Sequence, residues 1–353
     1  MDIAVYGSSL VSSYWNGAAT YYRGLFSALA PLGHTITFYE PDAFERQQHR
    51  DIPPPSYARS IVYAATTDGL AGALAAGAGA ELVIKCSGVG VFDDALLAGI
   101  LGHAGLRVFL DVDAAATLEA ARANPDDPLH TALPRIDLVL TYGGGPPVVD
   151  AYTALGARRC VPIYNALDPA THHPVPPDPR FATDLAFLAN RLPDREARVE
   201  AFFLDAALRC PERSFLLGGN GWQDKAMPGN VRAIGHVGTA DHNAFNCSAL
   251  VVLNVARDSM ASVGFSPATR VFEAAGAGVC LITDAWEGIE LFLTPETEVL
   301  VARDGADVAA HLRALTPARA RTIGHAALQR VRAQHTYGQR AEILDRLLRS
   351  MKA

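Results

Sequence analysis

The sequence predicts two doubly wound α/β domains, each a parallel sheet with helices on both faces. Three observations carry that reading. The chain has 353 residues, and a domain averages about 150. Half of the residues are hydrophobic and 19% are charged, enough apolar surface for two packed cores. Short apolar runs alternate with helix-like stretches, and the alternation begins again past the middle of the chain.

In the first half, Ile3 to Tyr6 reads as a buried strand, Ala18 to Leu32 as a helix stopped by Gly33, and Thr35 to Tyr39 as a second strand. Leu82-Val83-Ile84, Val108-Phe109-Leu110 and Leu138-Val139-Leu140 continue the series. His172 to Pro179 holds four prolines and reads as a stiff interdomain linker. Beyond it, strands are expected at Leu185 to Leu188, Phe215 to Leu217, Val231 to Ile234, Ala249 to Leu253 and Val279 to Thr283. Helices are expected at Arg195 to Arg209, at Ala268 to Ala277, from Glu287, and over Val308 to Met351.

Charge excludes some partners. Thirty basic against thirty-seven acidic residues give a formal charge of -7, the wrong balance for wrapping nucleic acid or coating an anionic membrane. Lys85, Lys225 and Lys352 are the only lysines, so anion binding falls to arginines and backbone amides. Cys86, Cys160, Cys210, Cys247 and Cys280 are scattered through apolar runs, as buried hydrophobes in a reducing compartment would be. With no signal-peptide pattern at Met1 to Val5 and no apolar run long enough to span a bilayer, the sequence reads as cytoplasmic.

Ligands of open parallel sheets bind beyond the carboxyl ends of the strands, so strand-end loops hold the candidate residues. The first is Gly7 to Gly17, whose Ser9, Tyr14, Trp15, Asn16 and Gly17 suit an acceptor or a phosphate. It is not a G-x-G-x-x-G fingerprint, and Glu40 is only a loose ribose candidate, which argues against a nicotinamide dinucleotide. Asp111-Val112-Asp113 invites a divalent metal, a catalytic base or a helix cap; with no further hard ligands nearby, base or cap is preferred and no metal is assigned. Tyr142 and Gly143 open another strand-end loop where backbone approaches a ligand closely.

The densest cluster lies in the second half. Ser266 reads as an N-cap with Pro267 in the first turn, so the amides over Ala268 and Thr269 form an anion site. Arg257 and Arg270 add positive charge for a diphosphate, and Glu273 further along the helix is placed to accept from a ribose diol. Gly219, Asn220 and His236 are in other strand-end loops; the histidines lack ligand spacing.

These residues resemble a family. Ser266 to Gly276, Thr283-Asp284 and Trp286-Glu287-Gly288 are similar to the donor site of GT-B glycosyltransferases, nearest the CgeB-like, spore-maturation branch. The Ser-Ser-x-x-Asn-Gly-like loop, Asp111-Val112-Asp113, Tyr142-Gly143-Gly144, Tyr164 to Asp168 and His335-Thr336-Tyr337 resemble the same branch. The resemblance implies a GT-B architecture of two Rossmann-like domains facing a cleft. Residues 1–168, joined by a C-terminal helix over 336–353, would bind the acceptor, and residues 169–335 the nucleotide sugar.

By position Glu273 matches the family's ribose-binding Glu, and Arg191 an Arg near the start of the second domain. Many retaining members have a Glu eight positions before Glu273; here that position is Phe265. The expected activity is transfer of a sugar, of the hexosyltransferase class, from a UDP-type or dTDP-type donor to a hydroxyl. No metal or cofactor is expected, and Asp113 is the first choice of base with Asp111 second. The alternatives are a nucleotide-sugar or NAD-dependent oxidoreductase and a non-catalytic nucleotide-sugar-binding protein. A binding titration of NAD against UDP separates the first; donor hydrolysis separates the second.

Overall fold

The computed structural model describes residues 1–352, apart from the side chain of Asp194. The chain divides into two compact units, Met1–Asn165 with the segment from Tyr337 onward, and Ala166–Thr336. His172 to Pro179 is therefore not the linker. It lies within the second unit, where the His173 amide donates to Asn243 Oδ1 and the Asp178 amide to Ser248 Oγ. Prolines stiffen this strap, and the amides they leave intact tie it down.

Unit 1 carries strands β1 (Asp2–Tyr6), β2 (Thr35–Asp42), β3 (Arg59–Ala64), β4 (Leu82–Cys86), β5 (Leu106–Asp111), β6 (Leu138–Thr141) and β7 (Cys160–Pro162). They form one sheet in the order β3-β2-β1-β4-β5-β6-β7, with every pairing parallel. Unit 2 repeats the arrangement with β8 (Thr183–Leu188), β9 (Phe215–Gly218), β10 (Val231–Gly235), β11 (Ala249–Asn254), β12 (Leu281–Asp284) and β13 (Leu300–Ala302). Their order is β10-β9-β8-β11-β12-β13, again all parallel. Each sheet reverses winding once, at β1/β4 and at β8/β11, and a doubly wound sheet opens its ligand crevice at such a point.

Side chains alternate across β8: Leu185 and Phe187 join a core with Phe203, Phe215 and Leu253, while Ala186 and Leu188 pack with Phe181, Leu216 and Phe245. Both sheet faces are thus dry, which is why these strands read as continuous apolar runs. In unit 1 the last helix, Tyr337–Lys352, lies on the first, Ala19–Leu29. Gly24 permits the contact, since a Cβ there would stand 2.1 Å from Tyr337 Cδ2. His34 Nε2 and Asp345 Oδ1, 2.7 Å apart, fix the same helix.

Several sequence expectations shift. The helix expected over Arg195 to Arg209 is Pro193–Val199, a π-helical turn Glu200–Leu204, then Asp205–Arg209. The helix expected from Glu287 is only a 3-10 turn, Ile289–Leu291, because Gly288 takes a left-handed φ of 92°. The helical tail resolves into Gly305–Ala314, Pro317–Gln334 and Tyr337–Lys352.

Candidate functional site

In unit 1 the loop after β1 is braced from within. Asn16 Nδ2 donates to the carbonyls of Ser9 and Ser12 at 2.9 Å, and its Oδ1 accepts from Ser8 Oγ at 2.8 Å. Ser9 Oγ accepts from the Ser12 amide. Glu40, fully buried, accepts from the Leu10 amide at 2.6 Å and from Gln47 Nε2 at 2.8 Å, so this carboxylate holds the loop and is not placed for a ribose. Ser9 and Asn16 are buried, whereas Gly17 is exposed. Trp15 stands 63% exposed in a left-handed conformation, φ 47°, and Tyr14 beside it stacks on His49. Of the five residues expected here, Tyr14, Trp15 and Gly17 present a surface and the other two build it.

Asp111 ends β5 with no exposed surface. It accepts from Ser87 Oγ at 2.7 Å, the Asp113 amide at 2.9 Å, Thr117 Oγ1 at 3.0 Å and the Tyr152 hydroxyl. Burial pushes its carboxyl above the ordinary range, against those donors. A general base must reach its substrate; Asp111 instead fixes the loop that carries Asp113. Asp113 occupies the N-cap position of helix Ala114–Ala123, half-buried, and its side chain makes no capping bond. Tyr142 and buried Gly143 follow β6 close by, with the Tyr142 amide donating to the Asp111 carbonyl.

In unit 2 the loops after β8 and β9 interlock. The Arg191 amide donates to the Asn220 carbonyl, the Asn220 amide to Asn190 Oδ1, and Gly219 comes close enough to the Ala189 carbonyl that a Cβ would stand 2.1 Å from it. Asn220 itself is exposed. The Arg191 guanidinium spans Glu196 at 2.7 and 2.8 Å and Asp224 at 2.8 Å, which raise its pKa. His236, past β10, is exposed.

The main cluster follows β11. Arg257 is the N-cap residue of helix Asp258–Val263. Phe265 has φ 47°, and its amide donates to the Glu287 carbonyl at 2.6 Å. Its ring lies against Gly288, where a Cβ would stand 2.3 Å away. The helix starts at Thr269, with Ala268 as N-cap, two residues later than the cap expected at Ser266. Ala268, in extended backbone at φ -65° and ψ 154°, takes the cap position with no side-chain bond, so Ser266 does not cap. Thr269, Arg270 and Glu273 then share the first two turns of helix Thr269–Gly276, at whose start the dipole is positive.

Glu273 is 8% exposed. Burial raises its carboxyl, but Arg270, His172, His242 and the Thr269 hydroxyl together hold it below the ordinary value. Arg270 Nη1 stands 3.7 Å from Glu273 Oε2, and this buried nitrogen has no hydrogen-bond partner. His172 Nε2 is 4.0 Å from Glu273 Oε1. The ligand-capable atoms of His172, His242 and Glu273 all lie within 4.8 Å of one another. Sequence spacing hid this trio, since the three residues come from a strap, a helix start and another helix.

Arg198 was missed too. It reaches from helix Pro193–Val199 to donate to Asp284 Oδ2 at 2.5 Å and to the Ala256 carbonyl at 3.1 Å. Asp284, fully buried at the end of β12, also accepts from the Ala256 amide. The pair therefore locks the peptide bearing Arg257 onto the neighbouring strand.

A family model described as glycosyl transferase-like matches residues 195–346. No curated protein matches the sequence. Among solved structures, sucrose-phosphate synthase from Thermosynechococcus elongatus is 16% identical, with TM-score 0.73 and 99% of each chain covered. Anabaena HepE in complex with UDP and glucose is 13% identical, with TM-score 0.70, covering 99% of this chain and 100% of that one. T4 phage β-glucosyltransferase is 12% identical, with TM-score 0.61 and 99% of each covered. The chain has the GT-B fold. At these identities the likeness concerns the fold, and within it the glycosyl transferase-like match falls on the GT-B half that carries Arg257, Arg270 and Glu273. No helix among the described residues is long and apolar enough to cross a membrane.

Proposed function

We propose that this protein is a glycosyltransferase of the CgeB-like branch, moving a sugar from a nucleoside diphosphate donor to a hydroxyl-bearing acceptor in the cytoplasm. The observation that carries the reading is the helix Thr269–Gly276, which presents a positive N-terminus, Arg270 with a buried unpartnered nitrogen, and one turn later a buried carboxylate. About one helical turn of 5.4 Å suits a diphosphate at the helix start and a ribose at Glu273. The glycosyl transferase-like match over residues 195–346 supports it, as do GT-B neighbours whose solved complexes contain UDP or UDP-glucose. The donor is of the UDP or dTDP type.

In the reaction the acceptor oxygen bonds to the anomeric carbon while the carbon–oxygen bond to the diphosphate breaks, its electron pair leaving with the phosphate. Charge develops on that leaving group, and the helix dipole with Arg257 and Arg270 meets it with fixed positive potential. No metal is needed for this step. The acceptor's proton passes to Asp113, held by the Asp111 network, and Tyr14, Trp15, Gly17, Tyr142 and Gly143 contact the acceptor. A thermal-shift screen of UDP, dTDP, GDP, ADP and NAD in EDTA tests the donor class, because a bound ligand raises stability by mass action. A shift with UDP or dTDP and none with NAD is expected; a shift with NAD alone would overturn the reading.

A further inference from the structure

We propose that His172, His242 and Glu273 form a binding site for a zinc-type transition-metal ion, and that an ion there excludes the nucleotide donor. The second half rests on the donor reading of Glu273; the first does not. Two imidazoles and one carboxylate are the ligand types zinc takes, and their ligand atoms already lie within 4.8 Å of one another. Ligands on a tetrahedral ion with bonds of about 2.1 Å stand roughly 3.4 Å apart, so the trio need close by only about an ångström.

The surroundings fix each ring and the carboxylate. The Thr171 hydroxyl lies 3.0 Å from His172 Nδ1 and 3.3 Å from the Asp168 carbonyl, so one ring nitrogen of His172 is held from outside the trio. The other nitrogen, Nε2, stands 4.0 Å from Glu273 Oε1. A hydrogen bond with the Val237 backbone holds His242, and the second oxygen of Glu273 faces Arg270 at 3.7 Å. Outer partners of this kind characterise metal ligands. His172 and Glu273 are 5% and 8% exposed, so an ion would be largely removed from water.

The same gap suits the two hydroxyls of a ribose, and both cannot occupy it. Arg270 lies beside the carboxylate and opposes a cation, so binding should be reversible rather than structural. An ion on Glu273 consumes the oxygen that would receive the diol. Zinc is then an inhibitor of this protein, not a cofactor, and chelators should raise donor affinity in any sample carrying it.

The full chain, stripped with EDTA and dialysed free of it, is titrated with Co2+ and followed by visible absorption. Intense tetrahedral bands that Zn2+ abolishes are expected. His172→Gln and His242→Gln should each weaken Co2+ binding at least tenfold with native circular dichroism. UDP titrated calorimetrically at rising Zn2+ should show an apparent Kd that climbs with the metal. Absent bands, bands that survive in both variants, or a UDP affinity indifferent to Zn2+ would overturn the proposal. If UDP fails to bind even in EDTA, the donor reading falls, and the cobalt spectra of wild type and variants still decide for or against the metal site.

Discussion

The Tyr152 hydroxyl donates to the Asp111 carboxylate in the interior of unit 1, the fourth of four donors that this one side chain accepts. The relationship makes Asp111 a positioning residue. Asp111→Ala leaves the Ser87 and Tyr152 hydroxyls without their acceptor, while Thr117 keeps the Asp113 carbonyl, and each unsatisfied buried group costs about 1–3 kcal/mol. We expect a large fall in Tm with nucleotide affinity retained in whatever fraction folds. Intact Tm with abolished transfer would instead place Asp111 at the reacting atoms.

Asp113→Asn keeps size and removes the base. Turnover should fall by roughly 10²–10⁴-fold, the range for general-base catalysis, with Tm and nucleotide affinity near wild type. Turnover within a factor of a few of wild type would exclude Asp113 from the proton transfer.

Arg198 and Asp284 make a second structural claim. Removing one partner of a buried pair costs about 3–5 kcal/mol, and Arg198 is partly solvated, so Arg198→Met should cost at or below that range. Asp284→Asn in the same chain should recover part of the loss. Nucleotide affinity should fall as well, because the Ala256–Arg257 peptide loses its anchor. A fully stable Arg198→Met would show that Asp284 needs no counter-charge.

Much of this was legible in the sequence, and the exceptions have physical causes. Central strands such as β1, β4, β8 and β11 are buried on both faces and announce themselves as apolar runs. Edge strand β3 is half-exposed, and edge strands β7 and β13 have three residues each, too few for a pattern to show. The proline run looked like a linker because prolines forbid regular structure, which a strap tied to its own unit does not need. Glu273 and Arg270 were visible from one helix; His172 and His242 meet them only through folding, and no local spacing encodes that.

Asp51 links pH to the loop after β1. Burial raises its carboxyl, but the bidentate Arg23, with the amide and hydroxyl of Ser13, outweighs burial and holds it below its ordinary 3.8. A depressed folded value means stability present above the ordinary value and lost as pH falls through the lowered one. The Ser13 amide should therefore exchange faster as pH drops below the ordinary carboxylate range, after correction for intrinsic exchange, and Asp51→Asn should abolish that dependence. Protection of the Ser13 amide independent of pH in wild type would count against the bracing role.

Arg270→Ala and Arg257→Ala test the diphosphate contact. Charge-assisted hydrogen bonds are worth about 1.5–3 kcal/mol, so each should weaken nucleoside diphosphate binding roughly ten- to a hundredfold. The corresponding nucleoside, lacking phosphate, should lose little. Equal losses for nucleoside and diphosphate would mean the arginines support the fold and not the phosphates.

The central claim is that Glu273 holds the ribose of a nucleoside diphosphate donor, and calorimetric titration of UDP and dTDP into wild type and Glu273→Gln, in EDTA, tests it most directly. Wild type should bind one nucleotide per chain. The variant, which keeps shape and one acceptor, should bind it several-fold to tenfold more weakly, with turnover at saturating donor reduced far less. Unchanged nucleotide affinity in the variant, with turnover lost by orders of magnitude, would contradict the account and move Glu273 from donor binding to the chemistry itself.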